Sequence, residues 1–338
     1  MRIKQKELID LLKEFNELGI QNQIDYQKFY LYSIITHSTA IEGSTVTEVE
    51  NQLLFDQGIP AAKRSMTEQL MNLDLKAAYD KSMEFAAQKK EITIPMLKEL
   101  SALVMKNTGS VYNIISGSFD SSKGDLRLVN VSAGVGGKSY LSYTKVPDYL
   151  EKFCTWLNKE REQLPKDDIY AAYKLSFEAH YRLVTIHPWV DGNGRMSRLV
   201  MNQLQFEQNI LPTIVYTDHK ADYITALASS RDNDDSSIFC GFMFDELAAY
   251  LKSSIAEFRK SLNGTVEADS GTVNGTVKDK ENAIIKAIRS NPQITQAELS
   301  EELGIALRTL KRYMKTLADD GKIERVGSDK NGMWKVRK

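Results

Sequence analysis

Residues 187–198, His187-Pro188-Trp189-Val190-Asp191-Gly192-Asn193-Gly194-Arg195-Met196-Ser197-Arg198, constrain this chain more than any other stretch. Twelve positions carry one imidazole, one carboxylate, two glycines and two guanidinium groups, and they must also join two helices. Upstream, Ile169, Ala172, Ser176, Ala179, Leu183 and Ile186 recur at three- and four-residue steps, the period of a half-buried helix. Pro188 stops that helix. Downstream, Met196, Leu199, Val200 and Leu204 restore the period, so a tight loop delivers into a new helix at about Arg195.

The first turn of a helix leaves backbone N–H groups unpaired and carries partial positive charge, which suits an anion. Gly192 and Gly194 permit positive φ and close backbone approach, so successive N–H groups can form a nest around a phosphate. Arg195 and Arg198 would add forked, charged donors. Asp191 is the one carboxylate of the segment. Beside a polyphosphate its work would be to hold Mg²⁺, a hard ion bound through one or two carboxylates and phosphate oxygens. His187 could then take a proton from an attacking hydroxyl.

The segment resembles the signature of Fic-domain proteins, His-Pro-Phe-x-Asp-Gly-Asn-Gly-Arg-x-x-Arg. It matches every fixed position except Trp189, where one aromatic replaces another and would anchor the loop in the core. The resemblance implies a mainly α fold: a Fic-type helical bundle with a small β-hairpin flap. It also implies an activity, the transfer of AMP from ATP to a Ser, Thr or Tyr hydroxyl of a target protein. His187 would be the general base and Asp191 the Mg²⁺ ligand. Gly192, Asn193, Gly194 and Arg195 would hold the phosphates, and Arg198 would orient the γ-phosphate. Two other functions remain open: a nucleotide-sensing transcription regulator, and removal of AMP from modified targets.

A second motif lies far upstream. Ser38-Thr39-Ala40-Ile41-Glu42-Gly43 ends a helix expected from about Asp25 to Ile41, with Ser38 and Glu42 on one side of it. It resembles the inhibitory-helix pattern of many Fic proteins, [Ser/Thr]-x-x-x-Glu-[Gly/Asn]. The resemblance implies that Glu42 pairs bidentately with Arg198 in place of the γ-phosphate, which would leave ATP poorly oriented. The plain alternative is a solvated carboxylate at a helix end, with Ser38 on the helix surface.

Residues 1–110 read as an N-terminal helical region containing this motif. Leu8, Leu11, Leu12, Phe15 and Leu18 form a stripe ending at Gly19, and Thr47 with Glu50 has capping-box spacing. Leu70, Leu73 and Ala77 mark a further helix with its core face, and Pro95 to Val104 another. Residues 111–262 read as the catalytic core. Between Gly117 and Tyr143 the period alternates, with a turn at Gly134, Gly136 and Gly137, which predicts the flap hairpin. Fic proteins often show Gly-x-Tyr-Arg before the flap, whereas this chain has Gly117-Ser118-Phe119-Asp120, so the register is open. His180 precedes His187 by seven residues. No Cys cluster or His-Glu-x-x-His accompanies the pair, and His180 reads as packing rather than metal binding. Tyr223 resembles the tyrosine near the adenine and reads equally as a core residue. A long helix from Ser236 to Leu262 closes the bundle.

Residues 263–280 read as a flexible linker in which Asn-Gly-Thr-Val occurs twice. Residues 281–338 suggest three helices and a hairpin and resemble a winged helix-turn-helix. Over residues 282–338, twelve Lys or Arg face seven Asp or Glu, with Arg308, Lys311, Arg312 and Lys315 on the expected recognition helix. That modest excess leaves DNA and protein equally open as partners. The whole chain, with 44 basic and 45 acidic residues among 338, shows no general attraction to nucleic acid or membrane. Only two cysteines, Cys154 and Cys240, and no apolar leader or membrane-length run, point to a cytoplasmic protein. Homo-oligomerisation is left open.

Overall fold

The protein is described here by a computed structural model over residues 3–133, 137–262, 277–292, 294–303, 310, 313–314, 317–318, 321–326 and 333–337. The chain divides into two compact units between Ala256 and Glu257, within its tenth helix. In the first, α1 (Gln5–Glu17) buries Leu8, Leu12 and Phe15 and is followed by Gly19 at φ 65°. The next helix, α2 (Tyr26–Ile41), leads to Glu42 as its C-cap. The capping box legible at Thr47 and Glu50 opens α3 (Glu48–Gln57), and an equivalent one at Ser65 and Glu68 opens α4 (Met66–Ala87). Then come α5 (Ile94–Val104), the antiparallel pair β1 (Val111–Ile114) and β2 (Gly117–Asp120), α6 (Val146–Gln163), α7 (Ile169–Ile186), α8 (Asn193–Glu207), α9 (Lys220–Asn233) and α10 (Ser236–Leu262).

The helix α8 forms the axis of this unit. It buries every residue except Gly194 and Phe206 and packs most extensively on α7 and α4. Its apolar period was visible in the sequence, but Asn202, Gln203 and Gln205 are buried too. They are tolerated because each finds a partner, as buried polar groups must: Tyr79 Oη donates to Asn202 Oδ1 at 2.7 Å, Ser82 Oγ to Gln203 Oε1 at 3.1 Å, and Gln205 Nε2 to Ser176 Oγ at 3.0 Å.

Two expectations are corrected. The helix α4 turns Asn72, Leu75, Tyr79 and Ser82 inward, while Leu73 is 38% exposed and Ala77 is exposed. The core face is therefore not the Leu70–Leu73–Ala77 stripe, because the polar partners of α2, α3 and α8 select the other side. The regular hairpin is β1–β2, which overlaps only the first residues of the predicted flap region. Where the flap was expected there is one bridge, Ser132 to Ser139, flanked by Ala133 N–H to Lys138 O at 3.1 Å and Tyr140 N–H to Val131 O at 3.0 Å. Among the described residues no ladder continues from it. The Arg127 guanidinium takes the carbonyls of Val129 and Leu141 instead. Gly134 and Gly136 of the expected turn lie outside the described residues.

In the second unit, α11 (Val277–Ser290) begins inside the expected linker, four residues before the predicted start. After it come α12 (Gln296–Glu302) and the antiparallel pair β3 (Ile323–Val326) and β4 (Met333–Val336). Ile284, Ile288, Leu299, Leu310, Leu317 and Ile323 form its core. Residues 263–276, and Arg308, Lys311, Arg312 and Lys315, lie outside the described residues. No helix among the described residues is long and apolar enough to cross a membrane.

Candidate active site

The dense segment begins where α7 ends. His187 caps that helix in the left-handed region at φ 53°, and Pro188 cannot continue it. Trp189, fully buried, donates its indole N–H to Gly124 O at 3.2 Å. Asn193 closes the loop from the other side, accepting from Trp189 N–H at 3.0 Å and donating to Trp189 O at 2.9 Å. The Asn193 amide, expected on a phosphate, is thus committed to the loop, and only its main-chain N–H is left for a ligand.

The two glycines act differently. Gly192 is the N-cap of α8 at φ 81°, and a Cβ there would meet Met105 Sδ at 2.9 Å. Gly194 is helical and does not use a positive φ; what it supplies is room, since a Cβ would lie 2.5 Å from Glu42 Oε1. The first α8 amide with a backbone acceptor is Met196, bonded to Gly192 O at 2.9 Å. The amides of Asn193, Gly194 and Arg195 have no acceptor among the described residues, and α8 has no side-chain cap.

Arg195 is 2% exposed and poorly satisfied. Its Nη1 reaches Val104 O at 3.4 Å, its Nη2 has only Met105 Sδ at 3.2 Å and Asp191 Oδ2 at 3.6 Å, and its Nε has no partner among the described residues. Asp191 accepts from Gly192 N–H at 2.6 Å and otherwise faces solvent. No cluster of three His, Cys, Asp or Glu exists among the described residues. A cation here would need its remaining ligands from a substrate and water, which fits the small, hydrated Mg²⁺ rather than an all-protein cage.

Arg198, 3% exposed, joins both motifs. Its Nε donates to Ser38 Oγ at 2.8 Å, and its Nη2 donates to Ser38 O at 2.9 Å and to Glu42 Oε1 at 2.6 Å. The pair with Glu42 is therefore not the expected bidentate one, because Ser38 takes the rest of that edge. Burial disfavours the Glu42 charge, yet Arg198, helped by Arg195 and Lys220, holds its carboxyl below the usual range. Tyr223 lies in the core, as one of its two readings had it. It is 2% exposed, its hydroxyl takes an N–H from Arg198 Nη1 at 3.3 Å, and it lies 3.0 Å from His180 Nε2. Its hydroxyl thus supports Arg198, and its ring packs against Phe239. His180 packs on Phe239.

The His187 imidazole has Nδ1 3.2 Å from Val184 O. A carbonyl only accepts, so Nδ1 carries the proton and Nε2 the free lone pair. The Tyr140 ring stacks on it at 3.8 Å, with the Arg231 guanidinium 5.1 Å from the Tyr140 ring centre. Burial pushes His187 down to about 4, and Arg127 and Arg231 add to that. Arg127 and Tyr140 escaped the sequence reading. The signal for Arg127 was a charge on the same strand face as Val129 and Val131; for Tyr140, which meets His187 only through the folded strap, there was none.

Residues 91–205 match the Fic/DOC family, a segment that contains His187 to Arg198. The chain carries a Fic domain. Residues 278–324 match a winged helix-turn-helix DNA-binding family. A protein adenylyltransferase Fic of Drosophila persimilis is 32% identical over 202 residues, which are 59% of this chain and 36% of that protein. The Drosophila erecta protein of the same name is 31% identical over 202 residues. The match thus spans little more than a third of these curated relatives. Among solved structures, a Fic domain containing signaling protein from Bacteroides thetaiotaomicron superposes with a TM-score of 0.61 at 19% identity, covering 78% of this chain and all of that one. A Fic family protein from Desulfovibrio desulfuricans superposes at 0.56 and 18% identity over the whole of this chain and 97% of its own. Ser38, Glu42 and Tyr223 lie outside the segment that matches the Fic/DOC family.

Proposed function

We propose that the Fic domain is an autoinhibited protein adenylyltransferase that moves AMP from ATP to a Ser, Thr or Tyr hydroxyl of a target protein. The observation that carries this reading is the sharing of one helix N-terminus by three unpaired amides and a buried, under-satisfied Arg195, with His187 Nε2 free at the adjoining loop. Such an arrangement suits a polyphosphate beside a base. In the reaction, the target hydroxyl gives its proton to His187 Nε2 while its oxygen attacks the α-phosphorus. The bond from that phosphorus to the bridging oxygen breaks, and pyrophosphate leaves. The α8 amides and Arg195 hold the phosphates through the charge build-up. Asp191 would hold Mg²⁺, which would neutralise phosphate charge. Arg198 orients the γ-phosphate only when Glu42 releases it, so the resting state binds ATP unproductively. The unpaired, buried Cys154 and Cys240 are in keeping with a reducing cytoplasm.

A second reading, a nucleotide-sensing regulator with the winged helix as output, is favoured by the match of residues 278–324 alone. One comparison separates the two. Wild type, Glu42→Gly and His187→Ala are incubated with Mg²⁺ and α-labelled ATP in cell lysate. Strong labelling by Glu42→Gly, weak labelling by wild type and none by His187→Ala are expected. Silence from all three would overturn the enzyme and, with sequence-selective DNA retention by the full chain, leave the regulator. Label that wild type removes from proteins modified by Glu42→Gly would instead assign de-AMPylation to the Glu42-engaged state.

A further inference from the structure

Arg127 is a buried cation without a carboxylate partner among the described residues. It is 1% exposed, and three of its donors go to main-chain carbonyls on three segments: Nε to His187 O at 2.8 Å, Nη1 to Val129 O at 2.7 Å and Nη2 to Leu141 O. Its own main-chain N–H bonds Pro188 O at 3.1 Å, so backbone and side chain both hold the turn after α7. Burying a guanidinium costs several kcal/mol by the usual order of magnitude, and carbonyls alone offset it incompletely. Here the negative end of the α7 dipole, which His187 caps, supplies part of the compensation. A fork of fixed planar donors can reach three divergent carbonyls; an ammonium on a flexible stem cannot hold them in one plane.

The carbonyls belong to parts that have to act together. Val129 and Leu141 are the two arms of the strap that closes at Ser132 and Ser139, and the strap carries Tyr140, whose ring lies on the His187 imidazole. His187 itself sits in a left-handed conformation that favours glycine.

We propose that Arg127 is a positioning residue: it ties the strap to the His187 carbonyl, and so clamps the imidazole between the end of α7 and the Tyr140 ring with Nε2 aimed at the incoming hydroxyl. This rests on the adenylyltransferase reading for its consequence in catalysis, but not for its geometry. The charged and titratable groups around His187 are Arg127 from the strap, Asp191 from the loop, Arg231 from α9 and the Tyr140 phenol.

The test reads the imidazole directly in the full chain by two-dimensional NMR of the histidine ring C–H signals, with His187→Gln to assign them. In wild type the Tyr140 ring should displace the His187 signals upfield, and they should titrate below the ordinary imidazole range. Arg127→Met should abolish the displacement and move the titration midpoint up, because a cation and a cover are both lost. Arg127→Lys keeps a charge and should hold the midpoint nearer wild type while losing the displacement. It also carries the test should Arg127→Met not fold. Folded variants with both signals unchanged would overturn the proposal. In the Glu42→Gly background, Arg127→Met should lower turnover roughly tenfold to a hundredfold, as for a misplaced catalytic group. The KM for ATP should stay within about twofold, because the phosphate end of the site is untouched. A merely structural role would lower the melting temperature and leave midpoint and turnover alone. Should Glu42→Gly itself fail to label any protein, the adenylyltransferase reading falls, and the NMR comparison still decides on Arg127.

Discussion

Gly194 and Glu42 compete for one volume: a methyl group on Gly194 would lie 2.5 Å from Glu42 Oε1 and 3.1 Å from Arg198 Nη1. The glycine is therefore a shape requirement of whatever occupies that corner, whether carboxylate or phosphate. The atom in the way ends a flexible side chain, so Glu42 can swing aside, and the helical backbone accepts alanine. Gly194→Ala should cost no more than the Glu42–Arg198 bond it breaks, about 1.5–3 kcal/mol, offset in part by about 1 kcal/mol of helix preference for alanine. It should nonetheless stay as silent in labelling as wild type, because the methyl evicts Glu42 and fills the phosphate's place at the same time. Thermal melts and α-labelled ATP together check this. Labelling equal to that of Glu42→Gly would show that no phosphate enters the corner.

What holds Glu42 in the site is largely not Glu42. Its single bond to Arg198 is a charge-assisted one, worth about 1.5–3 kcal/mol at most. By contrast, Asn72, fully buried on α4, grips the chain on both sides of it. Thr39 Oγ1 donates to Asn72 Oδ1 at 2.8 Å, and Asn72 Nδ2 donates to Ser44 Oγ at 3.0 Å. Asn51 Nδ2 joins at 2.9 Å, and Ser44 N–H returns to Thr39 O at 3.1 Å. Asn72→Ala should cost about 1–3 kcal/mol for each group left unpaired. Below its melt it should label more strongly than wild type. Added to Glu42→Gly it should raise labelling no further, since both changes act through one contact. Destabilisation without added labelling would detach this network from Glu42.

Helices and site were not equally legible in the sequence. The cap at Thr47 declares itself because it is local chemistry, and the limits of α2 and α10 follow from apolar period and stop signals. The face of α4 was misread because its inward residues, Asn72 and Ser82, are polar, and only partners distant in sequence make their burial tolerable. The Arg198–Glu42 meeting could be expected from two motifs some 150 residues apart, but not the sharing of Arg198 with Ser38. Tyr223 is the clearest limit. Its helix was legible, while its hydroxyl's partners, Arg198 and His180, depend on how α7, α8 and α9 close together.

The state of His187 sets a pH dependence of definite sign. Burial, with Arg127 and Arg231, lowers its folded value to about 4. The base is therefore already neutral at pH 7, and labelling by Glu42→Gly should stay level as pH falls from 8 to about 5, declining only near 4. Stability follows the same group. Between its unfolded value near 6.5 and 4 the unfolded chain binds the extra proton, so the contribution is complete above that window and is lost as pH falls through it. Melting temperature against pH should thus drop more steeply over that range in wild type than in His187→Gln. A rate that halves near pH 6.5 would mean an exposed, ordinary imidazole.

Two ion pairs of equal length should differ widely in worth. Arg161 Nη2 to Glu207 Oε2 and Lys138 Nζ to Asp232 Oδ1 are both 2.6 Å. The first pair has side chains 10% and 5% exposed, ties α6 to the end of α8, and is extended by Arg161 Nε to Glu207 Oε1 at 3.2 Å. Removing one partner leaves a charge stranded out of water, so Glu207→Ala should cost about 3–5 kcal/mol. The second pair, 64% and 49% exposed, joins the strap to α9 where water and salt already screen it. Lys138→Ala should therefore leave the denaturant midpoint where it was, at low and at high salt. Denaturant unfolding of both variants checks the contrast, and equal midpoints would mean that solvent reaches Arg161 far more freely than its burial allows.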